Sequence, residues 1–432
     1  MRSLIVLDYW EKLAGASLAL SSIIRLCQHA GLALVAPSVS SSLFLPTGGW
    51  PLSAYYDLTA LSTALAPQQL VQYAAWARLR RRTANSSISL AIVYSDFPRA
   101  CTAAMGALAT NGASVPACPP PCLAASGLRR LVEAARVHIG DEALSRLHCV
   151  RAAALRKAIQ GGGGGLVEQL SQSSAIALLN FRRHDSGKPM LPPTQALTLR
   201  ASAVRPAATV RAAAHRFLRA SHMLPASSSA GGNGGFALVQ LRSNHLAHSS
   251  YLAAAAAQPV PPSMVAGAGG AASSSPSCRQ RVSSCVRRLG RAARRLAPPE
   301  STVVASDIAT LFEANQDGES HRRHPYMRDC LAPSLPTLQR WQAGAGRSFD
   351  RPAECAGAGA AATSTVRTRM RRRRNASLAC DAGYLGLVDL ALASEARGFV
   401  AMEVRHPWRS AFLEWIVQTR RLAGKTSQLI NC

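Results

Sequence analysis

The feature that most restricts this chain is a repeated order of a continuous apolar run, a helical stretch, a turn residue and another apolar run. "SLIVLDY" leads into "EKLAGASLALSSIIRLCQHAG" and then "LALVAP". Continuous apolar runs predict strands buried on both faces, and strands separated by helices predict parallel pairing through crossovers. "SLAIVYSD" and "AIALLNF" add strands to the same half. Between them, residues 124–160 read as two helices with Asp141 at an N-cap, and the glycine run at 161–165 breaks the pattern.

The second half repeats the order. "FALVQLR" is a strand, "SCRQRVSSCVRRLGRAARRLAP" a helix, and "STVVASD" a strand. In that helix Cys278, Val282, Cys285, Leu289, Ala293 and Leu296 share one face, which leaves the arginines on a solvated one. Pro298 and Pro299 stop it before the next strand. "AGYLGLVDLALASEARG" is a helix closed by Gly398, "FVAMEV" a strand, and "SAFLEWIVQTRRLAG" an amphipathic last helix. Segments near 224–235, 253–277 and 343–365 are rich in Ala, Ser, Gly and Pro and are expected as loops or disorder.

At 432 residues the chain holds two domains of ordinary size. We place them at 1–190 and 236–404, joined by a linker helix and Gly/Ser loop at 191–235 and followed by a terminal helix at 405–432. A formal charge of +27 suggests a polyanion partner, but aromatic residues are only 5% and none is interleaved with a basic cluster, so nucleic acid is not favoured. The eleven cysteines lack paired metal-site spacing. Cys278 and Cys285 read as small apolar residues of one helix face, and disulfide pairing is left open. No apolar stretch of about 18 residues is present, so membrane association requires a segment outside this chain. The start "MRSLIVLDYWEKL" reads as a first strand rather than a signal peptide. "NSS" at Asn85 and "NAS" at Asn375 are possible glycosylation acceptors, and "RTRMRRRRN" reads as an exposed loop.

Ligands of open parallel sheets collect at the carboxyl ends of the strands. Arg242 closes "FALVQLR", Asp307 closes "STVVASD", and Ser410 opens the helix after "FVAMEV". A cation, a carboxylate and a helix N-terminus suit a nucleoside diphosphate: guanidinium clamps phosphate, helix N–H groups bind it, and carboxylate accepts from base or ribose.

These residues also resemble motifs of the GDP-fucose protein O-fucosyltransferases. "VQLRS" is similar to that family's His-x-Arg strand end, with Gln240 at the histidine place and Arg242 at the arginine. "ASD" resembles its Thr-Asp strand end and gives Asp307. "LVDLALASEARGFVAMEVRHPWRSAFLEWIVQTRR" is similar to its final block, with Asp389, then Ser410, Ala411 and Phe412, then Arg420 and Arg421. The opening "DYWEKLAGAS" resembles the divergent "YWEQL" branch found in algae and invertebrates, without the glycine-asparagine loop usual after the first strand.

The resemblance implies an α/β fold of two Rossmann-like domains of the GT-B type, with a nucleotide-sugar cleft between them and low-complexity loop insertions. The first domain would be the acceptor side and the second the donor side. It implies metal-free transfer of a sugar, fucose by likeness, from a GDP-sugar to a hydroxyl of a protein or glycan in the Golgi or ER lumen, with no cofactor besides the donor. Arg242 would bind the diphosphate and stabilise the leaving group. Asp389 would hold guanine, Asp307 would shape the pocket, and Ser410 and Phe412 would present donors to phosphate. Besides the missing glycine-asparagine loop, two departures stand out: Gln240 cannot titrate, and "RHPWR" is inserted before the Ser-x-Phe turn. Asp8, Glu11 and Asp57 are nearby carboxylates, read as solvated or capping. The alternatives are a degenerate relative that binds without turnover, and a basic nucleic-acid-binding protein.

Overall fold

The computed structural model describes residues 2–7, 13–36, 38–39, 50–82, 90–94, 147–150, 152–162, 165–173, 175–179, 190–223, 235–256, 277–306, 326–349, 378–403 and 411–432. The chain divides into two compact units. One comprises Met1–Arg211 and Thr365–Leu387, the other Ala212–Ser364 and Val388–Cys432. These limits differ from the sequence-based 190 and 236, because residues of the expected linker form helices that belong to the units themselves.

The first unit begins with β1 (Ser3–Leu7), α1 (Leu13–Ala30), β2 (Ala33–Val35), a small hairpin of β3 (Ser38–Val39) and β4 (Trp50–Pro51), α2 (Leu58–Leu65), β5 (Leu70–Val71) and α3 (Tyr73–Arg82). It continues with β6 (Leu90–Tyr94), β7 (Leu147–Val150), α4 (Ala152–Ile159), α5 (Gly165–Gln172), β8 (Ala175–Leu179), α6 (Pro193–Ala203) and the start of α7 (Ala208–Ala220). Six of these strands make a parallel sheet in the order β5-β2-β1-β8-β6-β7. The expected parallel sheet is therefore present. One reading needs correction: Leu147–Val150, assigned to a helix from sequence, is a strand paired with β6, and the helix begins only at Ala152. Asp141 lies outside the described residues.

Helix α1 is buried on most of its circumference, with Leu20, Ile23, Ile24 and Cys27 fully enclosed. Its buried serines are accommodated because Ser21 Oγ donates to the Ser17 carbonyl at 3.0 Å and Ser22 Oγ to that of Leu18 at 3.1 Å. Gly31, at φ 64°, ends the helix in the left-handed region, and Leu32 N–H returns to the Cys27 carbonyl at 2.9 Å. Burial pushes the Cys27 thiol well above its ordinary pKa.

The second unit holds the rest of α7, then β9 (Ala237–Leu241), α8 (Ser243–Ala256), α9 (Cys278–Leu296), β10 (Thr302–Ser306), α10 (Ala332–Ala345), β11 (Arg347–Ser348), the later part of α11 (Ala382–Glu395), β12 (Gly398–Glu403), α12 (Ala411–Leu422) and β13 (Gln428–Asn431). Its sheet is wholly parallel, in the order β11-β10-β9-β12-β13. β9 is central, and all five of its residues are buried. Two segments expected as loops are partly regular, since α8 runs to Ala256 and α10 to Ala345.

Helix α9 starts with a capping box: Gln280 N–H donates to Ser277 Oγ at 3.3 Å and Ser277 N–H to Gln280 Oε1 at 2.7 Å. Its apolar face, through Val282, Cys285, Val286, Leu289 and Ala293, packs with Leu246, Met327, Leu335, Leu338 and Val400 in one core. Leu296, the last residue on that face, is only partly covered. It is 44% exposed and rests against Gly398, where an added Cβ would meet its Cδ1 at 3.1 Å. Gly398 thus serves close approach as the first residue of β12 rather than closing α11.

Two disulfides tie α9 down. Cys278 bonds Cys330, and Cys285 bonds Cys432 at the end of β13, with Cα–Cα distances of 5.6 and 5.4 Å. The closed loops span 52 and 147 residues, so each link contributes on the order of 4 kcal/mol by loop-closure entropy.

The C-terminus of α11 is held by α12. Arg420 is fully buried. Its Nη1 donates to the carbonyls of Ala393 (2.6 Å) and Ala396 (2.7 Å), and its Nη2 to those of Arg397 (3.2 Å) and Thr426 (2.7 Å). Lys425 Nζ reaches the carbonyls of Ser394 (2.6 Å) and Glu395 (3.1 Å). Two cations thereby satisfy every carbonyl from Ala393 to Arg397, groups a helix end leaves without intrahelical donors. Desolvation lowers the Arg420 pKa.

Replacing Arg420 by Met is expected to destabilise the second unit by about 3 kcal/mol, since it strands several buried acceptors at once. The same change at exposed Arg421 is expected to stay within about 0.5 kcal/mol. Thermal melts of the two variants check this. Non-reducing peptide mapping is expected to return the 278–330 and 285–432 links, and Cys27 should resist alkylation until the protein unfolds.

Candidate functional site

Sheet order locates the site in the second unit. From β9 the chain moves one way to β10 and β11, then returns to the opposite side of β9 with β12 and β13. The order reverses between β9 and β12, and in open parallel sheets the crevice outside the carboxyl ends at such a point is where ligands bind. The register fixes that edge: Leu241 pairs with Ser306 on one side, and Gln240 with Ala401 on the other.

Arg242 is the residue directly beyond β9. Its carbonyl accepts from Leu246 N–H at 3.0 Å, so it also forms the entry to α8. Its guanidinium carbon stands 5.0 Å from the centroid of the Phe412 ring, within cation–π range. Phe412 is 5% exposed, lies in the first turn of α12, and meets Trp415 edge-on at 6.4 Å. Arg242 Nε is buried with no hydrogen-bond partner. A guanidinium held on an aromatic ring, with one N–H unmatched and no ion pair to a described acidic residue, has the charge and a donor that an anion would satisfy. The first N–H groups of α8 and α12, which have no intrahelical acceptors, belong to the same pair of elements.

The structure thus brings together two residues singled out in the sequence, Arg242 and Phe412, through side chains as well as topology. Gln240 sits two residues before Arg242 on β9 and is 3% exposed. Asp389 is half-buried in the middle of α11. Asp307 and Ser410 lie outside the described residues, as do Asp8, Glu11, Asn85, Asn375 and the basic run at 367–375. In the first unit Asp57 is a helix cap: its Oδ1 accepts from Thr59 N–H at 3.0 Å and Ala60 N–H at 3.3 Å, which accounts for it without chemistry.

What sequence reasoning missed is the ring under the guanidinium. The reading gave Phe412 a backbone role, whereas its side chain supports Arg242. The aromatic spacing Phe412–Trp415 on an amphipathic helix was the available signal.

No protein-family model matches this sequence, and no curated protein matches it. Among solved structures, POFUT1 in complex with GDP-fucose aligns over 99% of this chain and 98% of its own at 10% identity, with a TM-score of 0.50. The fucosyltransferase NodZ from Bradyrhizobium aligns over 96% of this chain and 92% of its own at 12% identity, with a TM-score of 0.40. NodZ alpha-1,6-fucosyltransferase soaked with GDP-fucose aligns over 97% and 93% at 12% identity, also with a TM-score of 0.40. At these identities the first of these matches establishes fold: this chain has the two-unit, parallel-sheet α/β architecture of the fucosyltransferase POFUT1.

Proposed function

We propose that the protein is a glycosyltransferase that takes a sugar, fucose by resemblance, from a GDP-sugar and delivers it to a hydroxyl of a protein or glycan. The observation that carries this reading is Arg242: a guanidinium at the switch point of a parallel sheet, backed by Phe412, with a buried N–H lacking an acceptor. In the reaction the acceptor hydroxyl oxygen bonds to the anomeric carbon while the bond from that carbon to the β-phosphate oxygen breaks, and the hydroxyl proton passes to the departing β-phosphate. Negative charge grows on the departing GDP, and Arg242 neutralises it where it grows, a contribution concentrated in the transition state. The N-termini of α8 and α12 add oriented N–H groups at phosphate.

The remaining assignments follow the motif likeness. Asp389 holds guanine, Asp307 shapes the nucleotide pocket, and Ser410 donates to phosphate beside Phe412. The guanidinium supplies the positive charge, so no metal is invoked. Two disulfides in the second unit support an oxidising compartment such as the ER or Golgi lumen. No helix among the described residues is long and apolar enough to cross a membrane.

Gln240 favours a second reading. A buried amide stands where the likeness expects a histidine, which suits a protein that binds the nucleotide without turning it over.

A nucleotide panel in a thermal-shift assay tests the proposal. GDP at about a thousand times its dissociation constant is expected to stabilise by about 4 kcal/mol, a rise of several degrees, with GMP and UDP well behind. Arg242→Ala is expected to remove the shift without lowering the melting temperature of the free protein by more than a few degrees. Arg242→Lys is expected to weaken GDP about tenfold or more, because an ammonium cannot reproduce the planar fork. A GDP shift combined with no release of GDP from GDP-fucose in the presence of acceptors selects the second reading. No response to any guanosine nucleotide removes both.

A further inference from the structure

Helix α9 carries a second, independent feature on the side away from the core. Seven of its 19 residues are arginines, and no acidic residue occurs from Cys278 to Pro299. Six of them, Arg279, Arg287, Arg288, Arg291, Arg294 and Arg295, are exposed, and none makes an ion pair with a described acidic residue. At 100° per residue the arginines occupy about 200° of the circumference, the core residues the remainder. The helix is about 28 Å long, so this is a continuous cationic stripe. The density is well above the chain's average of 49 lysines and arginines in 432 residues, and periodicity confines these arginines to one face of a helix. Folding does not require this stripe. Arg287, Arg291 and Arg295 follow at i, i+4 spacing, where like charges repel, and the core contacts of α9 are all made by its other face.

We propose that this face of α9 is a docking surface for a linear sulfated polysaccharide. Guanidinium forks match sulfate oxygens bidentately, and a straight row of them matches a chain with repeated anionic groups. Nucleic acid fits less well, because α9 itself carries no aromatic side chain and the neighbouring Trp341, beside Gly290, is packed against the core, and the same helix carries two disulfides that belong to an oxidising compartment. An anionic membrane fits less well, because the apolar face of α9 is spent in the core and only Leu296 is exposed. A folded protein partner would want an apolar anchor, which the stripe lacks.

The test is binding of the full chain to immobilised heparin across a salt series, with duplex DNA as a parallel probe. The decisive comparison is between two quadruple variants that remove the same net charge. One carries Arg287→Gln, Arg288→Gln, Arg291→Gln and Arg295→Gln; the control carries Lys157→Gln, Arg205→Gln, Arg216→Gln and Arg219→Gln at exposed positions elsewhere. The α9 variant is expected to bind heparin at least about tenfold more weakly and to lose about three units of salt slope, with the control within about twofold of wild type. A third variant with lysine at the four α9 positions retains charge and is expected to fall about two- to fivefold, which keeps the proposal testable if the glutamine variant fails to fold. Equal losses in the two glutamine variants would show that net charge alone is responsible and overturn the proposal. DNA binding as tight as heparin at equal salt, lost with the same four residues, would overturn the choice of partner.

Discussion

A single buried guanidinium organises the second unit. Arg420 bonds the last carbonyls of α11, the loop that enters β12 and the turn that leads to β13. Each connection joins α12 to an element of the sheet or its crossover, and Arg420 also lies over the Phe399 ring of β12 at 5.5 Å. A cation in this position would be costly if any of its donors lacked an acceptor. Here main-chain carbonyls, themselves in need of donors, surround it. The turn beyond it is equally determined: Gly424 at φ 69° lets Lys425 N–H return to the Arg420 carbonyl at 2.8 Å, closing α12 as the Lys425 side chain caps α11. With its far end fixed in this way, α12 presents Phe412 at a defined place beside β9.

That placement gives Arg242 its chemical character. A cation on an aromatic face keeps its charge and most of its donors free, whereas one in a salt bridge has already used them. The topology does the rest. Because the sheet order reverses between β9 and β12, the carboxyl ends of these two strands are the place where an open parallel sheet receives a ligand. The two arginines thus have opposite roles, and their surroundings explain the difference. Arg420 is enclosed by carbonyls and holds the fold, while Arg242 has an aromatic support and an unmatched N–H and is equipped for a ligand.

Much of this was legible in the sequence. Parallel strands are buried on both faces, so β1, β6, β8, β9, β10 and β12 all appear as continuous apolar runs and were read correctly in kind. β7 was missed because "LHCV" is four residues long and interrupted by His148 next to a strongly helical segment. β13 was missed because "QLIN" is a short edge strand whose pairing with β12 is a tertiary fact. For Arg420 a signal existed. Leu413, Ile416 and Arg420 follow at i, i+3 and i+7, which puts the arginine on the apolar stripe of its helix, while Arg421 falls outside it. Arg242 was found by the rule that strand ends face the ligand. Its aromatic support was not, because the ring belongs to a helix 170 positions later in the chain.

The central claim is that the ends of β9 and β12, through Arg242 and the first turn of α12, bind the diphosphate of a guanosine sugar. Hydrogen–deuterium exchange with and without GDP-fucose tests this most directly. The account predicts slower exchange in amides of 243–246 and 411–414, with α1 and the other helices of the first unit's core unchanged. Saturating nucleotide with no protection at either of those two turns would contradict it.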